Sequence, residues 1–300
     1  MGGSLRLSSA AFLHRLSRRR DQAVASRDEF TVRFWGVRGS IACPGSQFTR
    51  YGGNTSCIEV RCGGRLLIFD GGTGLRPLGL DLKRQQPLDA DLFFTHTHLD
   101  HIVGIPFFMP LFDPVNTFRL WAGHLGPTGS MRQVLCTMMT APLFPVPPEI
   151  FTASTSYIDF TAGEALAPQP GVTLRTAHLN HPNGATGYRI EFSGKSVCYV
   201  TDTEHEPGRL DGTIVDLVRG ADIFIYDSTY TEEEFPRYVG WGHSTWQEGI
   251  RLAEAAGVGQ FVAFHHDPSH DDEFMDCVAA DVARRRPGSL VAHEGLTLTP

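Results

Sequence analysis

From Thr31 onward the chain alternates short apolar runs with Gly- and Pro-rich breaks. These runs predict strands at TVRFWGV (31–37), CIEVRC (57–62), RLLIFD (65–70) and LFFTH (92–96). Further strands are predicted at FRLWAG (118–123), GVTLRTAHL (171–179), TGYRIEF (186–192) and SVCYVT (196–201). DIFIYD (222–227), QFVAFH (260–265) and LTL near the C-terminus complete the set. Several runs alternate with period two, as a strand with one solvated face does. LFFTH and DIFIYD are apolar almost throughout, the pattern of inner strands covered on both faces.

Helices are expected at 130–140, 211–219, 245–256 and 271–285. The third has a start signal: Ser244 or Thr245 as cap, with Gln247 or Glu248 three residues on to complete a capping box. TAPLFPVPPEI (140–150) holds four prolines and predicts an extended loop, whose FPVPP part (144–148) reads as a lid, a dimer contact or plain surface packing. No repeat of fixed period interrupts this order. The expectation is a two-layered β core with helices outside, in one domain over residues 30–300.

Composition adds boundaries. The 300 residues are 41% hydrophobic and 20% charged, ordinary for a globular protein with a sizeable core. No apolar run approaches 18 residues, so no membrane-spanning helix is expected. The formal charge of −7 is uneven: residues 1–27 hold six arginines and one acid. The remainder, with 20 basic and 32 acidic residues, carries about −12, which repels polyanions at long range. Residues 1–29 read as a basic, disordered extension. Their Arg- and Ser-rich, acid-poor make-up also fits a mitochondrial transit peptide, with the cytoplasm as the default compartment. The six cysteines form no CxxC pair and read as scattered core thiols of a reducing compartment.

The chemistry concentrates in FFTHTHLDHI (93–102). An apolar strand ends, and His96, His98, Asp100 and His101 follow within six residues. Histidines two apart on an extended segment point the same way, and a turn brings Asp100 and His101 back. Two clusters of nitrogen and oxygen donors result, as a two-metal site requires.

This HxHxDH motif resembles that of the metallo-β-lactamase superfamily, and the resemblance covers most of residues 30–275. Asp70 in IFDGGTG resembles the first family motif, an aspartate bracing the metal loop, and His181 in LNHPNGATGYRI the third. Asp202 in CYVTDTEH resembles the fourth, and QFVAFHHDP the fifth. The resemblance implies an α/β fold, the four-layer αββα sandwich. It also implies that His96, His98 and His181 hold one divalent cation, that Asp100, His101 and a late histidine hold a second, and that Asp202 bridges them. Five imidazoles and two carboxylates suit zinc, with manganese or iron as alternatives. Two such ions would make a bridging water a hydroxide near neutral pH, with Asp100 and Asp202 in the catalytic set. In FHHDPSH, alignment of Pro268 with the family's proline selects His265 as the late ligand, leaving His266 on the opposite face of an extended chain as an outer or substrate contact.

GWGHSTWQEGIRLAEAAGV (240–258) resembles the HST segment of the ribonuclease Z-like phosphodiesterases. That implies His243 as general acid, beside a helix N-terminus that favours phosphate oxygens. Packing of His243 against Trp241 or Trp246 is the alternative reading. Arg38, Arg50 and Asn54 are candidates for the pocket wall or for turn structure, and Asp227 for an outer brace. The leading expectation is a phosphodiesterase of a small, cyclic or acyclic phosphodiester. The alternatives are a ribonuclease Z-type RNA endonuclease and a lactone or thioester hydrolase. The acidic body and the lack of a basic Gly/Pro-rich arm disfavour tRNA, and a homodimer is the family-level expectation.

Overall fold

The computed structural model describes residues 29–300, so the basic head and its targeting reading lie outside the described residues. The apolar runs become strands of two seven-stranded sheets. The first contains β1 (Phe30–Gly36), β2 (Cys57–Cys62), β3 (Arg65–Phe69), β4 (Asp89–Phe94), β5 (Thr117–Ala122) and β6 (Ser154–Asp159). The second contains β7 (Ala165–Gln169), β8 (Val172–Leu179), β9 (Ala185–Phe192), β10 (Lys195–Val200), β11 (Ile223–Asp227), β12 (Gln260–Phe264) and β13 (Leu290–Val291). The last strand, β14 (Thr297–Leu298), returns to the first sheet beside β1. The orders are β14-β1-β2-β3-β4-β5-β6 and β13-β12-β11-β10-β9-β8-β7. In each sheet one flank is antiparallel, β14-β1-β2-β3 in the first and β7-β8-β9-β10 in the second. The other flank, β3 to β6 and β10 to β13, runs parallel.

The parallel strands β4 and β11 are buried on both faces, which accounts for their unbroken apolar sequence. Phe34, Phe69, Phe93, Tyr188, Tyr199 and Phe264 pack between the two sheets. The outer face of the first sheet is covered by α1 (Leu75–Leu82), the single turn α2 (Leu99–Ile102) and α3 (Met131–Met138). The outer face of the second is covered by α4 (Gly212–Val218), α5 (Trp246–Ala256) and α6 (Asp272–Arg285). The layers therefore run helix, sheet, sheet, helix, as the sequence resemblance implied.

The four expected helices form within one to two residues of their predicted bounds. The elements that the pattern missed have physical reasons. Helix α1 is masked by Pro77 and Gly79, although Leu75, Leu78, Gly79 and Leu82 make its buried stripe. A Cβ on Gly79 would lie 2.8 Å from the Phe108 ring, so the helix needs glycine to sit close. Strands β6 and β7 end their sheets and are only partly buried, so STSYID and ALAPQ lack the apolar signature of covered strands. Strand β4 stops at Phe94, two residues short of His96. The cysteines are all unpaired, but only Cys43, Cys57, Cys62 and Cys198 are buried; Cys136 is half-buried and Cys277 exposed.

Candidate metal centre

In open α/β sheets the carboxyl ends of parallel strands are where loops converge to bind ligands. Here the ends of β3, β4, β10, β11 and β12 deliver Asp70, His96, Asp202, Asp227 and His265 to one edge of the sandwich. Three of these residues turn the chain left-handed: Asp70 (φ 60°), Asp202 (φ 59°) and His265 (φ 65°). That conformation costs an L-residue roughly 1–2 kcal/mol. Its recurrence at three strand ends aims three side chains at one point.

Two groups of donors result. His96, His98 and His181 each offer a ligand atom within 4.8 Å of the others, and so do Asp100, His101, Asp202 and His265. In the first group His98 Nδ1 lies 3.1 Å from His181 Nε2. In the second, His101 Nε2 lies 3.3 Å from His265 Nε2, 3.3 Å from Asp100 Oδ2 and 3.2 Å from Asp202 Oδ2. Asp202 divides its oxygens between the groups. Its Oδ1 is 3.7 Å from His96 Nε2 and 3.8 Å from His181 Nε2, while its Oδ2 faces His101 and His265.

The hydrogen bonds on the far sides of the rings decide which nitrogens carry protons. His181 Nδ1 donates to the Gly242 carbonyl, 2.8 Å away, which leaves Nε2 as a lone pair. His101 Nδ1 lies 2.9 Å from Asp70 Oδ2, which turns its Nε2 toward the donor cluster. The Thr229 hydroxyl donates to Asp227 Oδ1 (2.7 Å), so His265 Nδ1 donates to Thr229 Oγ1 (3.0 Å) and its Nε2 is again a lone pair. His96 Nε2 is buried without a partner. Lone pairs and carboxylate oxygens thus face one another across the cluster, a costly arrangement unless a cation, or in its absence a proton on His101, is shared among them. Burial drives His96 well below its ordinary pKa and lowers His181, keeping both neutral. Burial also opposes a charged His101, but Asp202, Asp100 and Asp70 outweigh it and raise that ring well above its usual value. Burial favours a protonated Asp202, yet His265, His101 and His96 hold it well below the carboxylate range. The donor set fits divalent cations of the zinc type.

A second layer fixes these groups. Asp70 accepts from the Tyr199 hydroxyl (2.8 Å) and from Thr95 through both N–H and O–H. The Ser40 N–H donates to Asp100 Oδ2 (2.8 Å). His243 Nδ1 lies 3.1 Å from Asp227 Oδ2 and 3.7 Å from Asp202 Oδ1, and its ring stacks on His265 with centroids 5.0 Å apart. Burial pulls this imidazole down, but Asp227, Asp202 and Asp100 together outweigh it and raise it to about 9. His243 is not packed on Trp241 or Trp246; its neighbouring rings are His265, His181 and Tyr230.

Four candidates from the sequence fall elsewhere. Arg38 is fully buried, with its guanidinium donating to the carbonyls of Gly52, Asp267 and His270, so it ties loops together and does not line the pocket. Asn54 bonds Glu294 through its N–H and side chain. Arg50 pairs with Asp272 and Asp276 of α6. His266 turns away from the donors after the left-handed turn at His265 and lies 2.8 Å from the Ala292 carbonyl, its backbone N–H donating to the Val37 carbonyl at 3.0 Å. Its pKa is pushed down to about 3, by burial first and Arg38 second. The 140–150 segment folds against α3, where Leu143 and Phe144 wall an apolar cleft of about 670 Å³ that reaches Thr97 and Leu99 of the metal loop.

The sequence reading missed three contributors. His124, just past β5, bonds Thr97 Oγ1 at 3.0 Å, and its place after a parallel strand was the available signal. Thr229 orients His265, and Glu204 accepts from the Gly240 and Gly242 N–H groups at 2.8 Å. Neither has a motif of its own.

Comparison with known proteins places this geometry. A family model described as a beta-lactamase superfamily domain matches residues 65–266. A ribonuclease Z from Haloarcula marismortui is 24% identical, with 78% of this chain and 85% of that protein covered. The metallo-beta-lactamase fold protein YhfI from Bacillus subtilis superposes with a TM-score of 0.69 at 18% identity, covering 91% of this chain and 100% of that one. A diphosphatase of the PhnP family superposes with a TM-score of 0.64 at 20% identity, covering 90% of this chain and 98% of that one.

Proposed function

The chain belongs to the β-lactamase superfamily as a metal-dependent hydrolase, and from that premise we propose that it cleaves a small phosphodiester, cyclic or acyclic. The observation that carries the reading is His243. It is a buried imidazole held by Asp227 at 3.1 Å, beside both donor groups, with its pKa raised to about 9. A thioester expels a thiolate, which leaves without a proton donor, so His243 argues against that alternative, and the assay on lactones separates the other. Two divalent cations, zinc by the chemistry of the donor set, would supply a hydroxide nucleophile near neutral pH.

His96, His98 and His181 would hold one cation, and Asp100, His101 and His265 the other. Asp202, with one oxygen toward each group, would bridge them. Asp70 fixes the His101 ring and Thr229 the His265 ring, each through the nitrogen that faces away from the cations. His243 gives its proton to the departing ester oxygen, so that an alcohol leaves in place of an alkoxide. Asp227 holds the charged ring before the transfer and orients it throughout.

The test is chelated protein reloaded with zinc or manganese and assayed on bis-p-nitrophenyl phosphate, cyclic nucleotides, cyclic sugar phosphates, a tRNA precursor and lactones. Activity on lactones alone overturns the reading. His243→Ala should lower turnover of an alkyl phosphodiester about 10²- to 10⁴-fold, with bound metal unchanged by elemental analysis. Equal turnover removes His243 from the role. The curated relatives named ribonuclease Z support a second reading, an RNA endonuclease. Salt-sensitive cleavage of the tRNA precursor would favour it, and the charge of about −12 outside residues 1–27 argues against it.

A further inference from the structure

The loop that delivers His243 carries an aromatic residue that the reaction does not use. Trp241 is 63% exposed, two residues before the buried His243. Exposed indoles are uncommon on a soluble surface, where an aromatic ring gains most from burial. The backbone under this one is fixed on both sides. Glu204 accepts from the N–H groups of Gly240 and Gly242, and the Trp241 N–H donates to the Tyr238 carbonyl at 3.0 Å. Gly242 lies so close to the site that a Cβ there would sit 2.3 Å from His181 Nδ1. Trp241 is therefore at the rim of the donor cluster.

A line of rings connects the two. The edge of Tyr230 meets His243 at 6.1 Å between centroids. Tyr238 stacks flat on Tyr230 at 4.4 Å and 6°. Trp241 meets Tyr238 at 5.4 Å and 76°. The near-perpendicular contact steadies the indole while the residue stays largely exposed to solvent. A rigid, wet aromatic face is what base-stacking platforms present, because every nucleobase has a π face and little side-chain entropy is lost on contact.

We propose that Trp241 is a stacking platform for a nucleobase carried by the substrate. This rests on the phosphodiesterase reading and narrows it to nucleotide diesters. A neutral base adds contact without adding to the negative charge that the acidic body repels, and its bicyclic or monocyclic plane matches an indole. A sugar ring lying on the same face is the competing occupant.

Isothermal titration of the metal-loaded protein with adenosine 5′-monophosphate and with ribose 5-phosphate separates the two, since both carry the same phosphate and sugar. The wild-type protein should bind the nucleotide about 5- to 150-fold more tightly, the span that one base stack supplies. Trp241→Ala should abolish that preference while ribose 5-phosphate binding and metal content stay unchanged, and Trp241→Phe should keep part of it. Equal binding of the two ligands to the wild-type protein, or a preference that survives Trp241→Ala, overturns the proposal. Hydrolysis of bis-p-nitrophenyl phosphate by the wild-type protein tests the phosphodiesterase reading separately. Its absence removes that reading whatever the nucleotide does, and its presence without a nucleotide preference removes only the stacking site.

Discussion

Single residues at this centre are constrained by their neighbours more than by their own chemistry. His265 sits in a left-handed conformation (φ 65°), and Gly39 presses against its ring. A Cβ at position 39 would lie 2.4 Å from His265 Cε1 and 2.5 Å from Nδ1, closer than real contacts allow. Gly39→Ala should therefore displace His265 and weaken the second cation about 10- to 100-fold, the usual cost of disturbing a group behind a ligand. Competition with a chelator measures this. Gly212→Ala, at a position with open space around it, serves as the control and should leave metal affinity unchanged.

The elements decide how precisely the side chains are presented. Helix α5 begins where the HST segment ends, with Thr245 Oγ1 accepting from the Glu248 N–H at 3.1 Å. The expected capping box is only half made, because the Glu248 carboxylate turns to Arg251 (2.7 Å) and does not reach back. Ser244, between the cap and His243, accepts the Tyr230 N–H through its carbonyl at 3.0 Å, which ties the helix start to the loop after β11. Thr245→Ala should cost about 1 kcal/mol, the typical value of an N-cap. Urea unfolding should register that loss while metal content stays constant. A loss of metal would mean that the cap also holds the site.

At the scale of the whole molecule, the cations would join the two sheets. The first sheet and its loop bring His96, His98, Asp100 and His101, and the second brings His181, Asp202 and His265. Removing the ions leaves carboxylates and imidazole lone pairs facing each other across that seam. A cation present at a hundred times its Kd stabilises the fold by about 2.7 kcal/mol. Chelation should accordingly lower Tm by several degrees, with recovery on adding zinc. An unchanged Tm after verified metal removal would speak against cations bridging the sheets.

Much of this was legible in the chain. The period-two runs and the two unbroken apolar strands specified the sheets, since burial on one face or two writes directly into the sequence. The HxHxDH segment stood out because metal chemistry needs those residue types at short spacings, whereas His181, Asp202 and His243 stood out through their resemblance to the family's later motifs. The edge strands β6 and β7 and the helix α1 did not, because an edge has little to bury and α1 carries a proline and a glycine. Arg38, Asn54, Arg50 and His266 are polar residues near motifs in sequence but turned elsewhere in space. Only the tertiary structure sorted them, since a side chain's direction at the end of a strand depends on what the opposing sheet leaves room for. The sequence by itself determined the donors and the layers. The packing of the two sheets decided which nitrogens face one another, and that His243 meets Asp227 and not a tryptophan.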